Sequence, residues 1–422
     1  VNPSPAVATR ARLSERGLLI LLATVQFTHI MDFMIMMPLG PQLMRDLGIS
    51  AGQFAVLIAA YTLSAGTVGL ATAPFIDRFD RRRVLLTAYA GFAIGTLACA
   101  LAQTSGQLMA ARAVCGAFGG VSGATILAIV GDIIPGPRRG AAMGIIMTAF
   151  SAAAAIGVPF GLFLAQQFHW ETPFMVIVAA AVVVWILLAF ALPAVRGHLA
   201  DGPPESWRNF GLLLRDANAW RGLALMASLV LGHFTIIPFL SPHLVFNLVL
   251  PENLLAIVYV IGGLLTVVTA PLIGRLSDRH GRSNVFTVVA IGAIAIILVL
   301  TQLGPTPIPA TLALTGIFFI FASGRFVPVQ AALTSAVNSP RRGAYMSLTA
   351  CTRDFCAGLA SLLAGWVVVS TPEGLLHVDW LGYLTAAVSL IGIWLIRRVR
   401  TVQDQPAVGA EPRPESRVEQ TN

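Results

Sequence analysis

Apolar residues run along this chain in stretches of about 20, long enough for a helix to cross a hydrocarbon core of roughly 30 Å. Twelve such runs are predicted, at 17–39, 53–75, 84–102, 108–129, 143–165, 174–193, 223–244, 254–272, 285–303, 311–333, 346–369 and 381–396. The predicted class is an all-α membrane protein, because a helix in lipid satisfies its own backbone polar groups. The first run is too long for a cleaved signal and reads as a permanent helix.

The polar segments between the runs repeat. Residues 137–143 read PRRGAAM, and residues 340–346 read PRRGAYM, 203 positions later. An acidic–basic cluster at Asp77-Arg78 returns at Asp278-Arg279, 201 positions later. Two motifs at nearly one offset indicate a duplicated unit of about half the chain. The expected organisation is a six-helix bundle over 1–195, a cytoplasmic linker over 196–219, a second six-helix bundle over 220–400 and a disordered tail over 401–422. In the linker, Gly202-Pro203-Pro204 breaks the chain, while Arg208, Arg215 and Arg221 flank an apolar run at 210–214. That pattern fits a short amphipathic helix on the membrane surface or a flexible connector. External connections are short, so no folded extracellular domain is expected. Val1 reads as the product of an alternative initiation codon, which would make the chain complete.

Charge sharpens the topology. Charged residues are only 11% and apolar residues 56%, against about 25% charged in soluble domains. The net charge of +8 comes from 27 basic residues, all arginine. Arg45 alone falls in an external connection. Arg112, Arg325 and Arg353 fall within runs, and the other 23 lie in the tails and alternate connections. This positive-inside pattern puts both termini in the cytoplasm, in a bacterial inner membrane, and excludes nucleic acid as the partner of the basic residues. Cys99, Cys115, Cys351 and Cys356 lack metal-ligand spacing and read as small packing residues. No metal, cofactor or enzymatic constellation is found, and no phosphate-binding loop that would allow direct ATP drive.

The polar segments also carry a family resemblance. After the eighth run the chain reads Gly274-Arg-Leu-Ser-Asp278-Arg279-His-Gly281-Arg282. This resembles the G-x-x-x-D-R-x-G-R signature of the major facilitator superfamily. The first copy runs from Ala73 through Asp77, Arg78, Asp80, Arg81 and Arg82, with Ala73 and Asp80 at the two glycine positions. A small residue allows close helix approach, and the acid can engage the positive end of a neighbouring helix. The resemblance therefore implies a latch that joins two bundles in the outward-facing state. Leu108-x-x-x-Arg112-x-x-Cys115-Gly116 is similar to the family's L-x-x-x-R-x-x-Q-G motif, with Cys115 in place of glutamine. Gly157-Val158-Pro159-Phe-Gly161 resembles the helix-five motif of the drug:proton antiporter and arabinose-efflux-like branches, with Val158 splitting the usual Gly-Pro pair. The family implies twelve transmembrane helices in two pseudo-symmetric bundles, functioning as a monomer.

Ionisable groups inside the runs need a partner, water or a role, since insertion alone costs about 2.5–3.5 kcal/mol. Asp32 lies roughly 9–16 Å from the external face and Arg112 roughly 6–10 Å, at 1.5 Å per residue. They are expected to communicate, either as a proton carrier with its modulator or as a static ion pair. His29, three residues before Asp32, shares its helix face and could hydrogen-bond to it or pass it a proton. His233 is a second relay candidate. Adjacent side chains point about 100° apart, so Arg353 and Asp354 are not expected to pair; Asp354 is expected to meet Arg325, or the arrangement reversed. Net positive charge there suits an anionic substrate group, or else a structural network. Phe33 with Met31, Met34, Met36 and Met37 suggests a permissive apolar cavity.

The expected function is secondary transport by alternating access, as proton-coupled efflux of a small amphipathic compound or metabolite. Proton-linked uptake or facilitated diffusion is the alternative, followed by a transport-inactive membrane sensor.

Overall fold

A computed structural model describes residues 14–76, 78–196, 211, 213, 215–338 and 341–401. Asp77, Pro340, most of the proposed amphipathic stretch of the linker and nearly all of the C-terminal tail lie outside the described residues. The N-terminal half contains α1 (Glu15–Ile35), α2 (Gly40–Asp46), α3 (Ala51–Ile76), α4 (Arg81–Ala100), α5 (Ser105–Ile133), α6 (Gly136–Ala152), α7 (Val158–Gln167) and α8 (Thr172–Ala191). The C-terminal half contains α9 (Ala217–Phe246), α10 (Leu255–His280), α11 (Arg282–Gln302), α12 (Ile308–Gly324), α13 (Phe326–Ser335), α14 (Arg342–Val367) and α15 (Val378–Ile396). Eleven stretches among the described residues are long and apolar enough to cross a membrane. The predicted run at 346–369 corresponds to α14, which carries Arg353 and Asp354 and is not among the eleven.

Capping side chains set several helix starts. Ser14 accepts a hydrogen bond from the Gly17 N–H, Thr104 from that of Gln107, and Asp216 from those of Asn218 and Ala219. Each supplies an acceptor to backbone donors that the first helical turn leaves unpaired.

Prolines end one predicted run early and divide two others. Pro38 cannot donate to the Met34 carbonyl, and α1 ends at Ile35 before α2 begins. Pro159 cannot donate to Ala155, and a π-helical turn, Ala153–Gly157, separates α6 from α7. Pro328 cannot donate to Gly324, and the tenth run breaks at Arg325 between α12 and α13. One short hairpin lies in a connection between helices of this all-helical fold. β1 (Val369–Thr371) pairs antiparallel with β2 (Gly374–Leu376), with Val369 opposite Leu376. Asn247 holds this hairpin, donating to the Leu375 carbonyl at 2.7 Å and accepting from its N–H at 3.0 Å.

The halves meet at the end remote from the loop motifs. There Phe54 packs edge-on against Phe239, and the Ala51 N–H donates to Ser370 Oγ at 2.8 Å. Arg45 pairs with Glu252, whose carbonyl accepts from Gln166 Nε2 at 2.7 Å. Below this seal, Gly263 of α10 lies against the π-helical turn. A Cβ there would stand 2.7 Å from the Ala155 Cα, so only glycine permits the approach.

Candidate functional site: a buried ion pair and an aromatic bridge

Asp32 and Arg112 meet inside the N-terminal half. Arg112 Nη1 donates to Asp32 Oδ2 at 2.7 Å and to the Asp32 carbonyl at 3.2 Å. Both side chains are 0% exposed. Thr96 of α4 donates to the other carboxylate oxygen at 3.3 Å. The guanidinium carbon lies 4.4 Å from the centre of the Tyr61 ring, a cation–π contact that strengthens when desolvated. Gly116 makes this stack possible, because a Cβ at that position would overlap the Tyr61 backbone. Arg112 Nε and Nη2 remain without hydrogen-bond partners. The carboxylate thus engages one edge of the guanidinium and leaves donors over.

His29 does not join this pair. Its ring packs on Phe92 at 5.6 Å and Tyr61 at 6.0 Å between centres, and neither nitrogen has a hydrogen-bond partner. Three residues of helix bring side chains to one face but leave them about 60° apart in azimuth, and here the ring turns toward α3 and α4.

The C-terminal half departs from expectation more sharply. Arg353 Nε donates to Asp354 Oδ1 at 2.9 Å, so these sequence neighbours do pair. The flexible arginine stem curls beside the helix and spans the angle between the two positions. Arg325 makes no hydrogen bond or ion pair with Asp354; it donates to Ser389 Oγ at 2.9 Å and approaches the Ala322 carbonyl at 3.5 Å. His233 packs edge-on against Phe234 and Phe326.

Phe33 links the halves, with ring centres 5.1 Å from Tyr61 and 5.9 Å from Phe234. Phe33 and Met34 are partly exposed, whereas Met31, Met36 and Met37 are buried core. The soft surface offered to a solute is narrower than the methionine cluster suggests. Arg353 lies near enough to His29 and Tyr61 to interact electrostatically with both. Charged groups of both halves therefore flank one aromatic bridge.

The family model of the major facilitator superfamily matches residues 22–320 and 230–420. The chain belongs to the major facilitator superfamily. It is similar to the uncharacterized MFS-type transporter YtbD of Bacillus subtilis, 26% identical over 401 residues, covering 91% of this chain and 96% of that one. Its fold is similar to a bacterial homolog of the human lysosomal transporter Spinster, inward-facing and occupied, with a TM-score of 0.71 and 16% identity over 93% of this chain and 99% of that one. It is also similar to a D-xylose–proton symporter, with a TM-score of 0.74 and 16% identity over 92% and 99% of the two chains. The protein is a multi-pass membrane transporter of a family that carries small-molecule substrates.

In this transporter the described loop-motif side chains form contacts within their own halves. Arg81 pairs with Asp132, and Arg82 donates to the Ala189 carbonyl. Asp80 caps α4, accepting from the N–H groups of Arg82 and Val195 at 3.0 and 3.1 Å and from Arg196 Nε at 2.9 Å. Burial alone would raise the Asp80 carboxyl, but these hydrogen bonds outweigh it and hold the group below the usual carboxylate range. Arg78 rests over Phe75. In the second copy, Arg282 donates to Ser335, and Gly281 adopts φ 86°, which closes the turn between α10 and α11. Asp278 and Arg279 are exposed. Gly274 stands at ordinary contact distance from Val327, so its small size is not required in this conformation. Gly157 of the π-helical turn and Gly161 of α7 give α1 its seat there, against Phe27, Met31 and Ile35, with Pro159 between them.

Four contributing residues carried no motif. Tyr61 could have been noticed as one of only 5 tyrosines, placed in mid-run. Thr96, Asp132 and Ser389 gave no such signal, because threonine and serine occur throughout the runs and Asp132 lies just beyond the predicted run at 108–129.

Proposed function

We propose that the protein is a proton-coupled secondary transporter that exports a small amphipathic compound by alternating access. The buried Asp32–Arg112 pair is the observation that supports this reading. A carboxylate held by one edge of an arginine can release it on protonation, and the freed donors can then engage another group. Asp32 carries the proton and Arg112 makes protonation compete with solute binding. His29 and His233 are relay candidates, while Phe33, Met34, Arg325, Arg353 and Asp354 line or tune the solute cavity. The chain crosses a bacterial inner membrane twelve times with both termini cytoplasmic, and one copy suffices.

The seal around Phe54, Phe239 and Glu252 then lies on the external side, and the conformation is open to the cytoplasm. In the opposite state, Asp77, Arg78, Asp278, Arg279 and their neighbours latch the cytoplasmic ends. Inside-out vesicles test the coupling. An acid-inside gradient should drive uptake of a fluorescent amphipathic cation or a labelled metabolite, and a protonophore should abolish it. Protonophore-insensitive transport in the same vesicles would remove proton coupling.

A further inference from the structure

Arg325 is 1% exposed, yet no carboxylate pairs with it among the described residues. Its counterpart in burial, Arg112, is neutralised by Asp32; Arg325 has only a hydroxyl and a distant carbonyl. Its Nη2 has no hydrogen-bond partner. Beside it stands His233, an electrostatic neighbour of Arg325 whose Nδ1 is equally unpartnered. Ser389 closes the group: its hydroxyl would stand 3.4 Å from a Cβ at Gly232, the residue before His233. Three elements thus converge, α9 with His233, the α12–α13 break with Arg325, and α15 with Ser389.

A buried cation without a counter-charge is costly in a low-dielectric interior, and its unused donor points to a missing acceptor. The site adjoins the interface between the halves, since Phe234, the next residue after His233, meets Phe33 across it. Phe326 borders it and is partly exposed.

We propose that Arg325, His233 and Ser389 form a subsite for a singly charged anionic group, with Arg325 Nη2 as the principal donor. The group is a carboxylate of the transported solute or a free chloride ion, which share this chemistry. The assignment rests on reading this region as part of the solute cavity, and it narrows the solute class to compounds with an anionic end if the carboxylate is the source.

Equilibrium unfolding of the full-length protein in lipid nanodiscs tests it. Sodium chloride and sodium benzoate are each titrated against sodium sulfate at matched ionic strength. The expected result is a saturable rise in the midpoint with at least one monovalent anion. Arg325→Gln should abolish the rise, while His233→Gln and Ser389→Ala should weaken apparent affinity several-fold. Saturation by chloride alone identifies a resident ion; competition by benzoate identifies a solute carboxylate. Absence of a saturable rise with both anions overturns the proposal, as does an unchanged rise in Arg325→Gln. His233→Gln and Ser389→Ala keep the test informative if Arg325→Gln fails to fold: unchanged affinity in both overturns it. Binding is read without a gradient, so its failure is distinct from a failure of proton-coupled transport.

Discussion

Replacing Asp32 by asparagine removes the only carboxylate that pairs with Arg112 among the described residues, in a site where both side chains are 0% exposed. The remaining partners are the neutral amide oxygen of the new side chain, the backbone carbonyl at position 32 and the Tyr61 ring. Breaking a buried pair by deleting one charge costs about 3–5 kcal/mol, because the other is left desolvated and unpaired. The Tyr61 contact is kept and offsets this by up to about 2 kcal/mol, so a loss of roughly 1–5 kcal/mol is expected. Arg112→Gln should cost a comparable amount. The double variant should be far milder, since removing both members of a buried pair is often near neutral. Reversible unfolding in mixed detergent micelles, applied as a double-mutant cycle, measures the coupling. A coupling of 2 kcal/mol or more is predicted. Single variants that each lose less than about 1 kcal/mol and combine additively would refute the argument that this pair is desolvated and mutually dependent.

Other outcomes follow from the same structure. Asp80 is held below the ordinary carboxylate value near 3.9, so its stabilisation is complete above about pH 4 and is lost as pH falls through the lower folded value. Asp80→Ala should cost about 1–2 kcal/mol at pH 7, with the difference shrinking below about pH 4; a difference that stays constant to pH 3 would contradict this. Gly263→Val places bulk against Ala155 and should disfavour the present state, seen as reduced labelling of a cysteine introduced near the loop motifs after Cys99, Cys115, Cys351 and Cys356 are replaced by serine or alanine. Unchanged labelling would show that α10 and the π-helical turn separate freely. Glu252→Ala removes the Arg45 pair but not the backbone acceptor of Gln166. Both partners are partly exposed, so the shift in state populations should be no more than about fivefold, as for a loss under 1 kcal/mol.

The fold was readable because a membrane protein must write its helices as apolar runs and keep its polar residues in the connections. Those constraints act on single stretches of sequence. The Asp32–Arg112 pair was readable for a related reason: ionisable groups are rare in such runs, and matched depth leaves few partners. The sequence pattern misleads where a side chain's direction decides the outcome. The helical angle between Arg353 and Asp354 was correct, but arginine is long enough to defeat it. His29 had the right spacing for Asp32, yet its ring turned toward Tyr61 and Phe92. The helix breaks at Arg325 and the π-helical turn were implicit in Pro328 and Pro159, although the uninterrupted apolar pattern concealed them. Packing on α3 explains why Tyr61 matters, and no local pattern announces a contact made across helices.

Proton movement accompanying solute movement tests the central claim most directly. Reconstituted vesicles carrying an internal pH dye, with no imposed gradient at the start, are presented with candidate solutes one at a time. For a transported compound the account predicts a proton flux opposite to the solute flux, absent in Asp32→Asn. Proton flux in the same direction, or an undiminished opposite flux in Asp32→Asn, would contradict it.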